Sequence, residues 1–276
     1  MREDALRGFC LPLSPEGKAS LMGKPSWHYA VDLLSLTFRA DEEAVKNLLP
    51  EPLEPYSDPG LCYAWFGDWL SVWDGGEDML YINPERAQYK ELLIGVYCKY
   101  KGVDAQRCVY AWVDNDFTML RGWFMGFPKK IGRIHLIGCK SRLYELLPNV
   151  QRFGVGSKLA AICEAHGERL AYATLTITRE ATPDELPKPL ELIHTRHFPD
   201  IELGAKEPAI HDLVQLKTQQ GSVKIGRVWA GDATLKFYHS ELEELSALQP
   251  KEILAGYYFS LGFTTSGVTV LHRYRK

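Results

Sequence analysis

Residues 126–132 read Gly-Phe-Pro-Lys-Lys-Ile-Gly and come directly after a nearly uncharged run, residues 117–127. The run has apolar residues at helical spacing behind a predicted aspartate N-cap: Asp116, Phe117, Leu120 and Phe124. Pro128 disfavours helical geometry at the residue before it, so we expect the helix to end there. The sequence therefore predicts a short buried helix that presents Lys129 and Lys130 beside an apolar wall.

Two lysines in such a place have a chemical use. A lysine amine attacks a carbonyl group only when it is unprotonated, and its usual pKa of about 10.4 leaves little of that form at neutral pH. Burial and a second ammonium group nearby both disfavour the charged form, and burial alone lowers a lysine pKa by up to about 3 to 5 units. One of the pair is therefore a candidate Schiff-base lysine. The alternative is a pair of solvated lysines in a turn.

The lysine segment also carries a family resemblance. Residues 126–132 resemble the signature of the acetoacetate decarboxylase family, and Val-Asp-Asn-Asp at residues 113–116 resembles the pattern that precedes it. Residues 38–54, 228–231 and 248–253 match the family in the same order. The resemblance therefore covers nearly the whole chain, and it implies a homo-oligomeric enzyme.

The resemblance assigns roles by position. It implies that Lys129 forms an imine with a keto substrate and that Lys130 is the neighbouring lysine of the catalytic pair. Glu91 falls where the family carries an active-site glutamate. Its own surroundings favour a surface carboxylate at the head of a strand, because glutamate is seldom buried unpaired. A protonated imine is itself an electron sink, so no metal and no organic cofactor is expected.

The chain departs from the family pattern at three places. The family's decarboxylases carry an arginine near the first strand that helps to hold the substrate carboxylate, and Val31 stands there. A second acidic residue of the decarboxylase site falls at or near Ala64. The Gly-Arg-Glu that usually precedes the lysines is replaced by Arg-Gly-Trp at residues 121–123, with a one-residue deletion. Arg121 is the candidate to bind the substrate instead, so the sequence favours Schiff-base chemistry and leaves decarboxylation open.

Composition indicates a globular chain that handles a small molecule. The 276 residues are 46% hydrophobic and 24% charged, with a formal net charge of -3, which gives no reason to expect nucleic acid or an anionic membrane as a partner. No apolar run approaches the roughly 20 residues of a membrane span, and the N-terminus lacks the apolar core of a signal peptide. We therefore expect a cytoplasmic protein whose partner is a small keto acid.

Cysteines and histidines suggest no metal site. The cysteines have neither CxxC nor metal-ligand spacing, and we expect them to be reduced core residues: Cys10, Cys62, Cys98, Cys108, Cys139 and Cys163. His194 and His197 are three residues apart, and they share a face only on a helix, which their segment does not favour. With no third ligand suggested nearby, we predict no metal there.

The remaining pattern predicts many strands and few helices. Strands are expected at residues 27–38, 92–100, 107–113, 133–140, 168–178, 222–229, 232–238 and 264–274, with hairpin turns at 101–106 and 230–231 and short helices at 42–49 and 241–248. Residues 182–189 have the composition of a loop, but strands resume on both sides, so we expect one domain over residues 1–276. The predicted fold class is α+β, a mainly antiparallel, barrel-like sheet with a few short helices. No GxGxxG or Walker motif is present, so a nucleotide cofactor is not expected.

Three functions remain open from the sequence. The first is a lyase that decarboxylates a β-keto acid through Lys129, as the resemblance implies. The second is an aldolase or dehydratase that acts on pyruvate or another 2-oxo acid through the same lysine, as in some relatives of the decarboxylases. In both, Glu91 is the candidate for proton transfer or for positioning the substrate. The third is a barrel that binds a small apolar ligand without turning it over.

Overall fold

The computed structural model describes residues 5–138 and 153–274. Within these ranges thirteen strands form one sheet: β1 Trp27–Arg39, β2 Leu53–Pro55, β3 Leu61–Trp73, β4 Gln88–Tyr100, β5 Val103–Val113, β6 Lys129–Ile131, β7 Arg133–Ile137, β8 Lys158–Ala165, β9 Glu168–Ala181, β10 Glu191–Phe198, β11 Ile210–Thr218, β12 Lys224–Phe237 and β13 Glu252–Arg273. The same ranges contain three α-helices: α1 Glu42–Lys46, α2 Met79–Ile82 and α3 Asp116–Met125. The mainly antiparallel class with few helices is confirmed.

Seven strands close into a barrel. They neighbour one another in the order β1, β3, β4, β5, β10, β11 and β13, and β13 pairs back onto β1. Neighbours in this ring are antiparallel except β5 and β10, which are parallel. Strands β12, β9, β8 and β7 continue from β13 and pack against the outside of the ring. Closure gives the ring an enclosed interior, as a barrel-like sheet requires.

Successive side chains of β4 lie alternately in two hydrophobic cores, one outside the ring and one inside it. Leu92 and Ile94 lie in the outer core, between the ring and strands β7–β9. Tyr89 and Leu93 point to the other side and pack inside the ring. Because successive side chains of a strand point to opposite faces, Glu91 also belongs to the interior.

The predicted hairpin at residues 230–231 is wrong. Strand β12 runs through both residues, and its register against β9 shifts between Ala230 and Gly231. The carbonyl oxygen of Thr176 lies so close that a Cβ atom at Gly231 would be 2.0 Å from it. The glycine therefore marks a β-bulge where two backbones approach closely, and not a turn.

The helix predictions need smaller corrections. The side chain of Asp41 caps α1 as predicted, but the last turn tightens to i→i-3 hydrogen bonds, so the α-helix ends at Lys46. Asn115, and not Asp116, caps α3, because its side chain accepts a hydrogen bond from the Phe117 N–H group. Residues 241–248 contain only a 3-10 turn, Leu245–Leu248.

Several strand boundaries differ from those that the sequence predicts. The turn between β4 and β5 is only Lys101 and Gly102, both with positive φ, as a two-residue hairpin turn requires. The predicted strand at residues 133–140 ends at Ile137, and its last two positions, which include Cys139, lie outside the described residues.

The five cysteines in the described ranges are free and buried. Among the helices described, none is long and apolar enough to cross a membrane.

Candidate active site

A reversal of the chain after α3 positions Lys129. Gly126 ends the helix with a φ of 83°, in the left-handed region, and the Phe127 N–H group donates a hydrogen bond to the Gly122 carbonyl oxygen at 2.8 Å. The chain then returns as β6, which places Lys129 opposite Ala111 of β5. A Cβ atom at Gly122 would lie 2.4 Å from the Lys129 Cδ atom. Glycine at this position therefore leaves space for the lysine side chain to cross the helix.

The Lys129 ammonium group lies inside the barrel between polar partners. Lys129 is 5% exposed, and its Nζ atom lies 3.1 Å from the Glu91 Oε1 atom. Nζ also donates a hydrogen bond to the Thr118 hydroxyl oxygen at 3.1 Å. Glu91 is 3% exposed and lies within β4, so the reading of a surface carboxylate at the head of a strand is wrong. A buried lysine and a buried carboxylate thus form one ion pair.

Arg121 adds a second buried cation. It is 1% exposed, and its Nη1 atom donates a hydrogen bond to the Ser71 hydroxyl oxygen at 2.8 Å. Four aromatic rings surround the guanidinium, at 4.9 to 5.9 Å from its central carbon to the ring centroids: Tyr29, Phe117, Trp27 and Tyr89. Among the described residues, its Nε and Nη2 atoms have no hydrogen-bond partner. Two free N–H groups on one fixed fork match the two oxygens of a carboxylate.

The surroundings of Lys129 lower its pKa. Burial is the main cause, because it disfavours the charged ammonium. The Glu91 carboxylate opposes this and raises the pKa, while the Arg121 guanidinium lowers it further. The cation that acts on Lys129 is therefore Arg121.

Lys130 points away from this site. It follows Lys129 on β6, so its side chain leaves the opposite face of the strand. Its ammonium forms an ion pair with buried Glu243 and lies 5.3 Å from the ring of Trp112, in the outer core. His166 is the second partner of Glu243, with 3.3 Å between Nε2 and Oε1. The structure brings Lys129, Glu91 and Arg121 together and does not bring Lys130 to them.

Two of the three departures from the family pattern, Val31 and Ala64, lie on opposite faces of the sheet. Val31 is buried inside the barrel in one cluster with Phe117, close to Arg121. Ala64 lies in the outer core, and the residues on either side of it, Tyr63 and Trp65, face the interior with aromatic rings. The positive charge inside the barrel thus comes from Arg121 on α3. Residues 63–65 of β3 contribute no acidic side chain to the interior.

Sequence reasoning missed the polar side chains that hold the lysine and the arginine. Thr118 lies three residues before Arg121 on α3, and this spacing places both on one face of a helix. Ser71 lies on β3 two residues after Trp69, so the two share a face. The helical spacing of Thr118 and Arg121 and the strand spacing of Trp69 and Ser71 are the only local patterns that place these side chains. Neither predicts a hydrogen bond without knowledge of how α3 packs on the sheet.

His194 and His197 lie on strand β10 and not on a helix. Residues three apart on a strand point to opposite faces. His194 is fully buried, its ring centroid lies 4.0 Å from that of Phe127, and burial holds its pKa well below the usual value. The side chain of His197 is exposed, so the pair does not share one metal ion.

Comparisons with known proteins identify relatives over nearly the whole chain. A family model described as acetoacetate decarboxylase matches residues 10–275. The acetoacetate decarboxylase of Streptomyces nogalater is 22% identical over 275 residues, which cover 99% of this chain and 98% of that protein. The enduracididine biosynthesis enzyme MppR, solved in complex with the condensation product of pyruvate and imidazole 4-carboxaldehyde, has a TM-score of 0.83 at 31% identity, covering 98% of both chains.

A second solved structure has the same fold. An acetoacetate decarboxylase-like enzyme from Sphingomonas wittichii RW1 gives a TM-score of 0.86 at 29% identity, covering 97% of this chain and all of that one. Both the sequence match and the two structures extend over nearly the full length of the described fold. The chain therefore belongs to the acetoacetate decarboxylase family of enzymes.

Proposed function

We propose that this protein is a lyase in which Lys129 forms an imine with a 2-oxo acid. The observation that carries the proposal is the buried lysine, with a lowered pKa, between Glu91 and Arg121. A lysine of this kind has more of the neutral, nucleophilic amine at neutral pH than a solvated lysine has. The free N–H groups of Arg121 supply the binding site for the acid's carboxylate.

The chemistry follows from these three side chains. The Lys129 nitrogen adds to the carbonyl carbon, and the carbonyl oxygen leaves as water, which gives a protonated imine. Glu91 then removes a proton from the adjacent carbon, and the electrons of that C–H bond move to the imine nitrogen to give an enamine. Attack of the enamine on an aldehyde forms a new carbon–carbon bond and restores the protonated imine, and the resulting hydroxyl is then lost as water. Hydrolysis of the imine by a second water molecule releases the condensation product and regenerates the Lys129 amine.

Two observations favour a 2-oxo acid over a β-keto acid. Arg121 and Lys129 both lie against the ring of Tyr89, with the Arg121 central carbon 5.9 Å and the Lys129 Nζ atom 5.3 Å from its centroid, and the guanidinium is near enough to lower the pKa of Lys129. The carboxylate and the reacting carbonyl therefore need to be close together in the substrate. MppR, at 31% identity, has been solved in complex with pyruvate, a 2-oxo acid.

Decarboxylation of a β-keto acid is the second candidate. It is favoured by the match of residues 10–275 to the acetoacetate decarboxylase model. In this reaction the imine nitrogen receives the electrons of the bond to the departing carbon dioxide, and Arg121 holds the carboxylate before it leaves. A barrel that only binds an apolar ligand has no use for a buried Lys129–Glu91 pair, whose desolvation is unfavourable.

Two assays on one preparation distinguish aldol chemistry on a 2-oxo acid from decarboxylation of a β-keto acid. In D2O, enamine formation exchanges the methyl protons of pyruvate for deuterium, which proton NMR follows directly. Release of acetone and carbon dioxide from acetoacetate reports decarboxylation. We expect rapid pyruvate exchange with little acetone. The opposite pattern would show that the protein decarboxylates a β-keto acid and does not act on pyruvate. If neither reaction exceeds that of the Lys129→Ala variant, the enzyme proposal fails.

Glu91→Gln is expected to lower kcat for pyruvate exchange by about 10²- to 10⁴-fold, since the amide does not take up a proton. It also removes the negative charge that raises the pKa of Lys129. Because neutral Lys129 is the reactive form, the rise of kcat/KM with pH should move to lower pH. Rate profiles from about pH 5 to 9 measure this shift, and an unchanged or upward-shifted limb would contradict the assigned contact.

Lys130→Met is expected to reduce stability and to leave the imine chemistry in place. The variant removes the ammonium partner of buried Glu243 and leaves His166 as its remaining ion-pair partner among the described residues. We expect a loss of about 1 to 3 kcal/mol, because the half-exposed lysine is partly screened by solvent. Thermal unfolding of Lys130→Met and of Lys130→Met with Glu243→Gln measures this, and the second change should restore part of the stability. Loss of pyruvate exchange in a folded Lys130→Met protein would instead give Lys130 the catalytic role that the family pattern predicts.

A further inference from the structure

Trp69 places an N–H group on the interior wall, with the ring of Tyr89 as a neighbour that it shares with Lys129. Its ring stacks on that of Tyr89, with centroids 5.8 Å apart and planes 3° from parallel, and Tyr89 lies 5.3 Å from the Lys129 Nζ atom. The pyrrole edge of the indole lies over Gly67, where a Cβ atom would be 2.3 Å from the Nε1 atom. Gly67 is the residue directly opposite Glu91 in the pairing of β3 with β4. The indole N–H group is therefore a near neighbour of the carboxylate that contacts Lys129.

This N–H group lacks a hydrogen-bond partner within the described residues. Trp69 is only 6% exposed, and a buried indole N–H group normally has a partner. The ring of Tyr29 meets Trp69 edge to face at 6.1 Å, and its own hydroxyl interacts with Thr265 and not with the indole. Together with the free N–H groups of Arg121, this side of the interior presents more donors than one carboxylate uses.

Trp112 provides a contrast within the same chain. Its indole N–H group is also buried and unpartnered, but it lies in the outer core, where its ring faces the Lys130 ammonium. An unpartnered indole is therefore not by itself a ligand site. The position of Trp69 over Gly67, opposite Glu91, places its N–H group on the side of the barrel interior that holds the Lys129–Glu91 pair.

We propose that Trp69 Nε1 donates a hydrogen bond to an oxygen atom on the substrate chain beyond the imine carbon. Trp69 then selects keto acids that carry a hydroxyl or carbonyl oxygen there. The inference rests on the proposed function, because the imine at Lys129 fixes where the rest of the substrate lies. In an aldol or dehydration step the oxygen that is formed or lost is two carbons from the imine carbon, and Glu91 beside Trp69 is placed to exchange its proton.

A matched pair of ligands tests this directly. The compounds 2-oxobutanoate and 4-hydroxy-2-oxobutanoate differ only in one hydroxyl group. Each is offered in equal amount to the full chain, and borohydride reduces the imine to a stable amine. Mass spectrometry gives the ratio of the two labels on the Lys129 peptide, with the pyruvate and dehydrated adducts that turnover leaves counted with the hydroxylated compound. We expect the hydroxylated compound to exceed the other by about 3- to 10-fold, as a single hydrogen bond allows. Trp69→Phe should bring the ratio close to one, and Trp112→Phe should leave it unchanged.

The outcomes separate the two proposals. Equal labelling of the native chain, or an unchanged preference in Trp69→Phe, overturns the role of Trp69 and leaves the imine at Lys129 intact. Absence of both adducts from Lys129 overturns the proposed function and this inference together. Labelling of Trp69→Phe by 2-oxobutanoate shows that the variant is folded, and the native competition is informative without any variant.

Discussion

Lys129→Met is expected to lower kcat/KM for the keto acid by about 10⁴-fold or more, because the thioether offers no nitrogen for the imine and binding alone remains. Methionine approximates the length of the lysine stem that crosses α3 at Gly122, so the packing there is retained. Lys130→Met is the matched control, since it removes the adjacent ammonium from the opposite face of β6. Initial rates of pyruvate exchange for the three proteins give the comparison.

Stability distinguishes a catalytic loss from an unfolded protein. Lys129→Met leaves Glu91 buried without its ion-pair partner, which is destabilising by about 3 to 5 kcal/mol when the carboxylate stays charged. Adding Glu91→Gln should recover much of the thermal stability while activity stays absent. Residual activity of Lys129→Met within about tenfold of the native chain would show that another group carries the reaction.

Arg121→Met is expected to raise KM for a 2-oxo acid by about 10²- to 10⁴-fold. The free Nε and Nη2 donors are lost, and each hydrogen bond to a charged group contributes about 1.5 to 3 kcal/mol. The same change removes a cation that lowers the pKa of Lys129. Neutral Lys129 then forms only at higher pH, so the rise of kcat/KM should move upward in pH, opposite to the shift expected for Glu91→Gln.

Arg121→Lys separates the two roles of the arginine. It keeps a positive charge near Lys129, so the pH profile should stay close to that of the native chain. It loses the planar fork that matches a carboxylate, so KM should still rise. Steady-state kinetics across pH for both variants measure both effects, and a KM unchanged in Arg121→Met would place the carboxylate elsewhere.

The sequence singled out Lys129 and named Arg121 as a candidate substrate ligand, but it did not predict that Arg121 is the cation near Lys129. Arg121 lies about one turn before the end of α3, and the segment reverses at Gly126, whose left-handed conformation returns β6 along the helix. That reversal depends on packing between α3, β5 and β10. A pattern of residues predicts where the helix ends, but it does not predict which side chains the returning strand brings together.

Lys130 shows that the surroundings of two adjacent lysines depend on the local secondary structure. In a turn, adjacent lysines can share surroundings, whereas on a strand they point to opposite faces. The strand character of β6 comes from its parallel pairing with β5, which is a tertiary contact. The partner of Lys130, Glu243, lies 113 residues further along the chain, and no local spacing connects the two.

Gly231 illustrates a similar ambiguity in the fold. Glycine suits both a turn and a β-bulge, so the pair Ala230-Gly231 between two β-rich segments favoured a hairpin. The bulge is set by the backbone of Thr176 on the neighbouring strand β9. By contrast, residues 92–100 and 107–113 carry enough β-branched and aromatic residues to be predicted as strands from local sequence, and both lie within strands, β4 and β5.

The central claim is tested most directly by trapping the imine. The full chain is incubated with pyruvate, and separately with acetoacetate, then treated with borohydride, digested and examined by mass spectrometry beside Lys129→Ala and Lys130→Met. We expect an adduct with pyruvate on the peptide that contains residues 129–130, present in the Lys130→Met protein and absent from Lys129→Ala. No adduct with either compound under conditions that label a known Schiff-base enzyme, or an adduct that persists in Lys129→Ala, would contradict the assignment of Lys129 as the nucleophile.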